Sequence, residues 1–218
     1  MQENKQIQLT LMSQKNMHRV KRVLILTITW LVCSCSQNVF DSKKELLAYL
    51  QDLENGYVQK KEINGLDFAI MYRPTDLLVQ QVINEKTTQM ELDSIRSKYG
   101  KFIYFNISLS NNGKEVLNSV INRKSDFGGM VNELAFGMGQ KVHLISQSRD
   151  TIELLDYIYP REYGMGKSTN MMFVYPRNKE FLKNDYFHLT IEDIGLKTGE
   201  VGFKIPTKII NQEPKLNL

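Results

Sequence analysis

The chain has 218 residues, enough for one domain or two small ones, and its 42% hydrophobic and 24% charged content points to a packed core rather than disorder. Its formal charge of +4 is carried entirely by residues 1–34, where Lys5, Lys15, Arg19, Lys21 and Arg22 stand against Glu3 alone. The rest of the chain is neutral overall, which excludes a gross electrostatic footprint for nucleic acid.

Residues 18–22, HRVKR, are basic, and residues 23–32, VLILTITWLV, are uncharged and mostly apolar. Small Ser34 and then Cys35 follow. Basic region, short apolar region and small residue at the cut are the order of a secretory signal. Ten helical residues span roughly 15 Å, about half a bilayer core, so a permanent membrane span is not expected. Residues 1–16 are polar and precede Met17 (and Met12), so translation is expected to start there rather than at Met1.

Val32-Cys33-Ser34-Cys35 resembles the lipobox of bacterial lipoproteins, in which a small residue precedes a cysteine that is acylated and becomes the new N-terminus. The resemblance implies lipid attachment at Cys35. Cys33 fits that role poorly, because Val32 would stand at the cut. The pattern departs from the family at two places, with Val32 where Leu is usual and Cys33 where Ala or Ser is usual. SQNVF after the cysteine lacks the early acidic run of surface-exported lipoproteins of Bacteroidota. The resemblance therefore implies a lipid-anchored protein of the cell envelope, at the outer membrane and facing the periplasm. The expected organisation is a leader and signal over residues 1–34, a lipidated tether over 35–40 and a single globular domain over 41–218.

Both cysteines lie before this domain, so it can hold neither an intramolecular disulfide nor a thiolate metal site. Asp41 or Ser42 can cap a helix through KKELLAYLQDLEN, with Leu46, Leu47, Leu50 and Leu53 on one stripe and Gly56 past its end. YVQKKEI and LDFAIMYR flank Asn64-Gly65, a strong hairpin signal because both residues tolerate positive φ. Pro74 ends the second strand, Thr75 or Asp76 can cap a helix through LLVQQVI, and another helix is expected near 87–98. KFIYFNISLS alternates cleanly, with Ile103, Phe105, Ile107 and Leu109 on one side. Asn111-Asn112-Gly113 reads as its closing turn. Residues 126–138 read as a helix stopped by Gly139, with Met130, Val131, Leu134, Ala135 and Met138 on one face.

Strands follow around 141–146, 151–159, 169–175, 186–192 and 201–206. About eight strands with a few helices predict an α+β domain built on an antiparallel sheet or sandwich; a single sheet with helices packed on it is the alternative. FIYFNISLSNNGKE, with the later MMFVYPRN and VGFKIP, resembles the telokin-like, immunoglobulin-related domains of exported bacterial proteins. That resemblance implies a β-sandwich.

YGMGKST at 163–169 looks like a phosphate-binding loop, yet the G-x-x-x-x-G-K-[ST] spacing needs glycine at 161, where Arg161 stands. Strand-forming TNMMFVYP follows instead of a helix. PREYGMGKS therefore reads as a nine-residue hairpin loop whose glycines supply turns, and no nucleotide is expected. His143 and His188 lie alone in predicted strands, so no metal or other cofactor is expected. Asp150, Glu153 and Asp156 read as solvated, and no G-x-S-x-G nucleophile occurs. Asp93-Ser94-Ile95 and Asp150-Thr151-Ile152 resemble the O-glycosylation sequon of Bacteroidota proteins. Tyr157, Tyr159, Arg161 and Tyr163 form a candidate binding patch, because aromatics and arginine are enriched at interface hot spots. The reading that follows is a non-enzymatic envelope lipoprotein that binds another envelope protein or a glycan. The alternative is an envelope hydrolase acting on cell-wall or glycan material.

Overall fold

The computed structural model describes residues 38–120, 124–162 and 165–218, and residues 37–218 form one compact unit. The lipobox, both cysteines and Tyr163 lie outside the described residues.

Ser42 caps helix α1 (Lys43–Gln51), its hydroxyl accepting the Glu45 N–H at 3.2 Å. Leu46 and Leu50 are fully buried and Leu47 is half-buried. Leu53 is 59% exposed, against the predicted stripe, because Asp52 turns extended and the next three residues form a separate 3₁₀ turn. The Asn64-Gly65 hairpin joins β2 (Val58–Ile63) to β3 (Leu66–Tyr72), with φ at 54° and 77°. Helix α2 (Thr75–Val79) stops well short of Ile83. Neither Thr75 nor Asp76 caps it. The Thr75 N–H instead donates to the distant Glu213 carboxylate at 2.9 Å, and Asp76 accepts both Nε and Nη2 of Arg96 at 2.8 and 3.0 Å. Arg96 lies on α3 (Gln89–Tyr99), which opens on a capping box of Thr88 and Glu91.

Strand β4 (Phe102–Asn111) pairs with β3 and with β9 (Thr169–Pro176), and β8 (Asp156–Ile158) pairs with β9, all antiparallel. Short β5 (Lys114–Glu115) folds back on β4 through the expected turn, which completes a six-stranded sheet. A second antiparallel sheet has the order β11 (Val201–Pro206), β10 (Tyr186–Ile191), β6 (Val142–Ser146), β7 (Thr151–Ile152). The inward rows of both sheets meet in one core. Phe105 packs edge-on against Phe187 at 6.2 Å, and the buried Tyr175 hydroxyl donates to the Val142 carbonyl at 3.1 Å. The fold is α+β with antiparallel sheets facing each other, as expected from the strand rhythm.

Among the described residues there are twelve strands. The predicted strand over 151–159 is two short strands in different sheets, because Glu153–Leu155 carry the chain from one sheet to the other. On the opposite side, the Gln59 amide donates to Lys204 O and the Lys61 ammonium to Gly202 O, so side chains of β2 cover the free carbonyls of edge strand β11. The helix expected over 126–138 runs as α4 (Lys124–Asn132), then a π turn (Glu133–Gly137), then a 3₁₀ turn (Met138–Gln140) that passes through Gly139 instead of stopping there. Met130, Leu134 and Met138 are its buried residues.

Val39 and Phe40, expected in the tether, belong to the fold. β1 (Val39–Phe40) pairs in parallel with β12 (Lys215–Leu216), which follows the short helix α5 (Lys208–Asn211). This clasp sits at one end of the six-stranded sheet, where Glu213 and Leu216 bond to Tyr72, Thr75 and Asp76. The opposite end carries the Asn64-Gly65 and Asn112-Gly113 turns and the 159–168 loop. β4 has ten residues, so the two ends stand about 30 Å apart. No helix among the described residues is long and apolar enough to cross a membrane.

Candidate functional site

Lys141 and His143 share the outward face of the β6 segment, two residues apart. Glu192 follows β10, and its N–H donates to the Lys141 carbonyl at 2.8 Å, which sets its side chain beside both. One carboxylate oxygen accepts the Lys141 ammonium at 3.0 Å and the other meets His143 Nε2 at 3.1 Å. The hydrogen bonds from Lys141 and then His143 hold the Glu192 carboxyl below its ordinary range. The same bond to Glu192 holds the Lys141 ammonium above its ordinary range. Both shifts move away from neutral pH, so the pair stays charged. A general acid or base works best with a pKa near the operating pH, whereas a fixed ion pair suits binding and orientation.

Lys141 also lines a cavity of about 430 Å³ together with Val120, Gly129, Met130, Glu133 and Ile194. The Glu133 carboxylate lies in the π turn against Gly137, where a Cβ would stand 2.6 Å from its Cδ. Its Oε1 is buried and accepts no hydrogen bond from the described residues. π turns recur at functional positions. Asp193, also on the rim, is committed to its own loop: Oδ1 accepts the N–H groups of Gly195, Leu196 and Lys197 at 3.0, 2.8 and 3.1 Å. The rim is tied to the turn-bearing end of the domain. Asn111 Nδ2 donates to Ser119 Oγ at 2.7 Å, next to Val120, and Asn64 Nδ2 donates to the Lys197 carbonyl at 2.7 Å.

The predicted aromatic patch is not assembled as one exposed surface. Tyr157 and Tyr159 alternate onto the inward side of their segment and are half-buried against the core. Tyr157 stacks on Phe173 at 5.4 Å with planes 11° apart. Burial pushes both hydroxyls above the ordinary tyrosine range. Arg161 is exposed, and Tyr163 falls outside the described residues. Residues two apart on a strand share a face, and here Tyr157 and Tyr159 share the inner one.

Strand β9 begins right after Ser168, and Lys167 is exposed. The loop joins antiparallel β8 and β9, as a hairpin loop should. Gly166 serves close approach rather than a positive-φ turn. Its N–H donates to Glu115 Oε1 at 2.8 Å, and a Cβ there would fall 2.0 Å from Glu162 Oε2. Glu115 is only 1% exposed, and sequence reasoning missed it: following an Asn-Gly turn, it reads as a solvated residue.

Asp150, Glu153 and Asp156 are exposed. His188 packs edge-on to Tyr186 at 5.4 Å and lies on a different strand from His143. Among the described residues, no group of three or more His, Cys, Asp or Glu is arranged to hold a metal ion.

No family model matches the chain, and no curated protein matches it. Among solved structures it is similar to a DUF4426 family protein from Pseudomonas aeruginosa PAO1, at 10% identity and a TM-score of 0.35, over 69% of this chain and 94% of that one. Likeness at this level bears on neither activity nor ligand.

Proposed function

We propose that the chain is a cell-envelope lipoprotein whose single domain acts as a binding module, acylated at Cys35 and held at the outer membrane facing the periplasm. One observation carries the reading most directly. Residues 37–218, which follow the lipobox closely in sequence, form one compact unit, and its strand β1 is clasped by β12. A lipid-anchored module needs a compact unit close behind its acylated cysteine. The Lys141–Glu192–His143 cluster beside its cavity offers a partner a fixed set of polar contacts. The partner class is an envelope protein or a glycan. Exposed Ser94 and Thr151, each inside a sequon-like tripeptide, are compatible with export.

The hydrolase alternative has one observation in its favour. Glu115 and Glu162 converge on Gly166, and glycoside hydrolysis uses two carboxylates. Glu115 is almost fully buried, however, so a substrate could not reach it without displacing the loop.

The test is mass spectrometry of protein extracted from membranes. A mature N-terminus at Cys35 carrying acyl chains is expected, with membrane retention lost in Cys35→Ser. An unprocessed N-terminus at Met1 refutes the reading.

A further inference from the structure

We infer that the domain stands on the bilayer by its clasp end and presents the turn-bearing end, with the Lys141 cavity tied to it, away from the membrane. The occupant of the clasp-end surface is the phospholipid headgroup layer. The inference rests on attachment at Cys35, as proposed above. Two residues, Ser36 and Gln37, separate Cys35 from Asn38, and the three Cα-to-Cα steps between them reach at most about 10 Å. Asn38 cannot swing free of the domain, because its carbonyl accepts the Lys215 N–H at 2.9 Å and its side chain donates to the Tyr49 hydroxyl at 2.6 Å. The leash therefore ends at a fixed point on the surface.

Val39 and Lys215 are register partners there, Val39 58% exposed and Lys215 exposed, and Lys43 and Lys44 follow on the first turn of α1. Exposed Asp41 and Glu45 offset two of the three ammonium groups. The surface is thus nearly neutral, and the short leash rather than charge holds it to the headgroups. The far end, with Lys114 and Lys167 exposed, stands about 30 Å away along β4. A reach of about 10 Å cannot bring that end to the membrane while the clasp holds.

Cys35 is the last cysteine in the chain, which makes a direct experiment possible. Residues 35–218 contain the whole described domain with its own core. This protein is coupled through Cys35 to a maleimide lipid in vesicles of phosphatidylcholine and phosphatidylglycerol in equal parts. Its lysines are then acetylated under limiting reagent and compared with uncoupled protein by mass spectrometry, after circular dichroism has shown the same fold in both. The expected result is a several-fold slower acetylation of Lys43, Lys44 and Lys215, with Lys114 and Lys167 unchanged. Unchanged reactivity of the first three, or equal protection at both ends, overturns the orientation. Because the attachment is chemical, that failure stands apart from failure of the lipoprotein reading, which an unmodified N-terminus in cell-extracted protein would show.

Discussion

Arg177 and Glu213 form an ion pair at 2.9 Å with side chains only 20% and 17% exposed. Arg177 follows β9, and Glu213 lies in the C-terminal segment that clasps the first strand. The same carboxylate accepts the Tyr72 hydroxyl at 2.7 Å and both the N–H and the hydroxyl of Thr75 at 2.9 and 3.1 Å. Burial, then the Glu213 charge, pushes the Tyr72 hydroxyl well above its ordinary range. Burial alone would lower the Arg177 guanidinium, but Tyr72 and Glu213 outweigh it and raise it. A pair so placed is costly to break from one side, because the remaining charge stays buried.

Glu213→Ala should therefore destabilise the domain by about 3 kcal/mol, read from urea denaturation. Arg177→Met combined with Glu213→Leu should cost less than the two single changes added together, since neither partner is left as an unpaired ion. Additive costs would show that the two residues do not act as a pair.

The Lys141–Glu192–His143 cluster predicts a pH dependence with a definite sign. The folded-state pKa of Glu192 lies below its unfolded value. Its contribution to stability is then complete above the unfolded carboxylate range and is lost as pH falls through the folded value. For Lys141, raised by its bond to Glu192, the contribution is complete below the unfolded lysine range and is lost as pH rises through the folded value. Both side chains are partly exposed, at 30% and 42%, so solvent screens the pair, the effect on stability is small and the titration itself is the better readout. In a carboxyl NMR titration Glu192 should titrate below the ordinary glutamate range, and Lys141→Ala should move it upward. No movement would remove Lys141 as the cause.

Leu50 and Leu53 separate what local pattern could and could not say. Both lie on the stripe that helical periodicity predicts, and Gly56 does sit past the end at positive φ. The pattern assumed one continuous helix. Asp52 is extended and accepts the Glu54 N–H at 3.0 Å, so it starts a new turn and rotates Leu53 outward. An acidic N-cap signal inside the stripe was the available cue. Leu50→Ala should cost about 2–5 kcal/mol and Leu53→Ala no more than about 0.5 kcal/mol in thermal or urea unfolding.

The sheets were legible for the same reason that α1 was. Most strands of five residues or more carry alternation, β2 being marked instead by its Asn-Gly turn, and β2, β3, β4, β6, β9, β10 and β11 fall near their predicted ranges. β1, β5 and β12 have two residues each and carry no period to read. The split of 151–159 left a trace in hindsight: inward positions run Ile152, Leu154, then Tyr157, an odd step that breaks the alternation. The candidate site was mostly illegible. Glu192 meets Lys141 and His143 across forty-nine or more residues, and Glu213 meets Tyr72 across 141. Such pairings are made by register and chain return, and no local spacing encodes them. Tyr157 and Tyr159 were grouped with Arg161 and Tyr163 for their residue types, and composition does not say which side of a strand faces inward.

The glycine-lysine stretch that resembles a phosphate loop supplies the last prediction. Lys167 is exposed, and strand β9 follows where a phosphate site would place a helix N-terminus. Lys167→Ala should then change stability by no more than about 0.5 kcal/mol, the usual scale for exposed positions. Its neighbour should behave differently. Gly166 has carboxylate oxygens where a Cβ would go, and its N–H is the hydrogen bond given to buried Glu115. Glu162 can swing away from a new methyl group, but Glu115 is enclosed and must shift with the loop. Gly166→Ala should therefore destabilise by about 1–2 kcal/mol, well beyond the lysine change. Magnesium and ATP should raise the melting temperature of neither protein. A nucleotide at about 100 times its dissociation constant would stabilise the fold by about 2.7 kcal/mol, several degrees in a thermal-shift assay. An ATP-dependent rise that vanishes in Lys167→Ala would overturn both the hairpin-loop reading and the non-enzymatic assignment. A tolerant Gly166→Ala would show that the loop does not depend on its bond to Glu115.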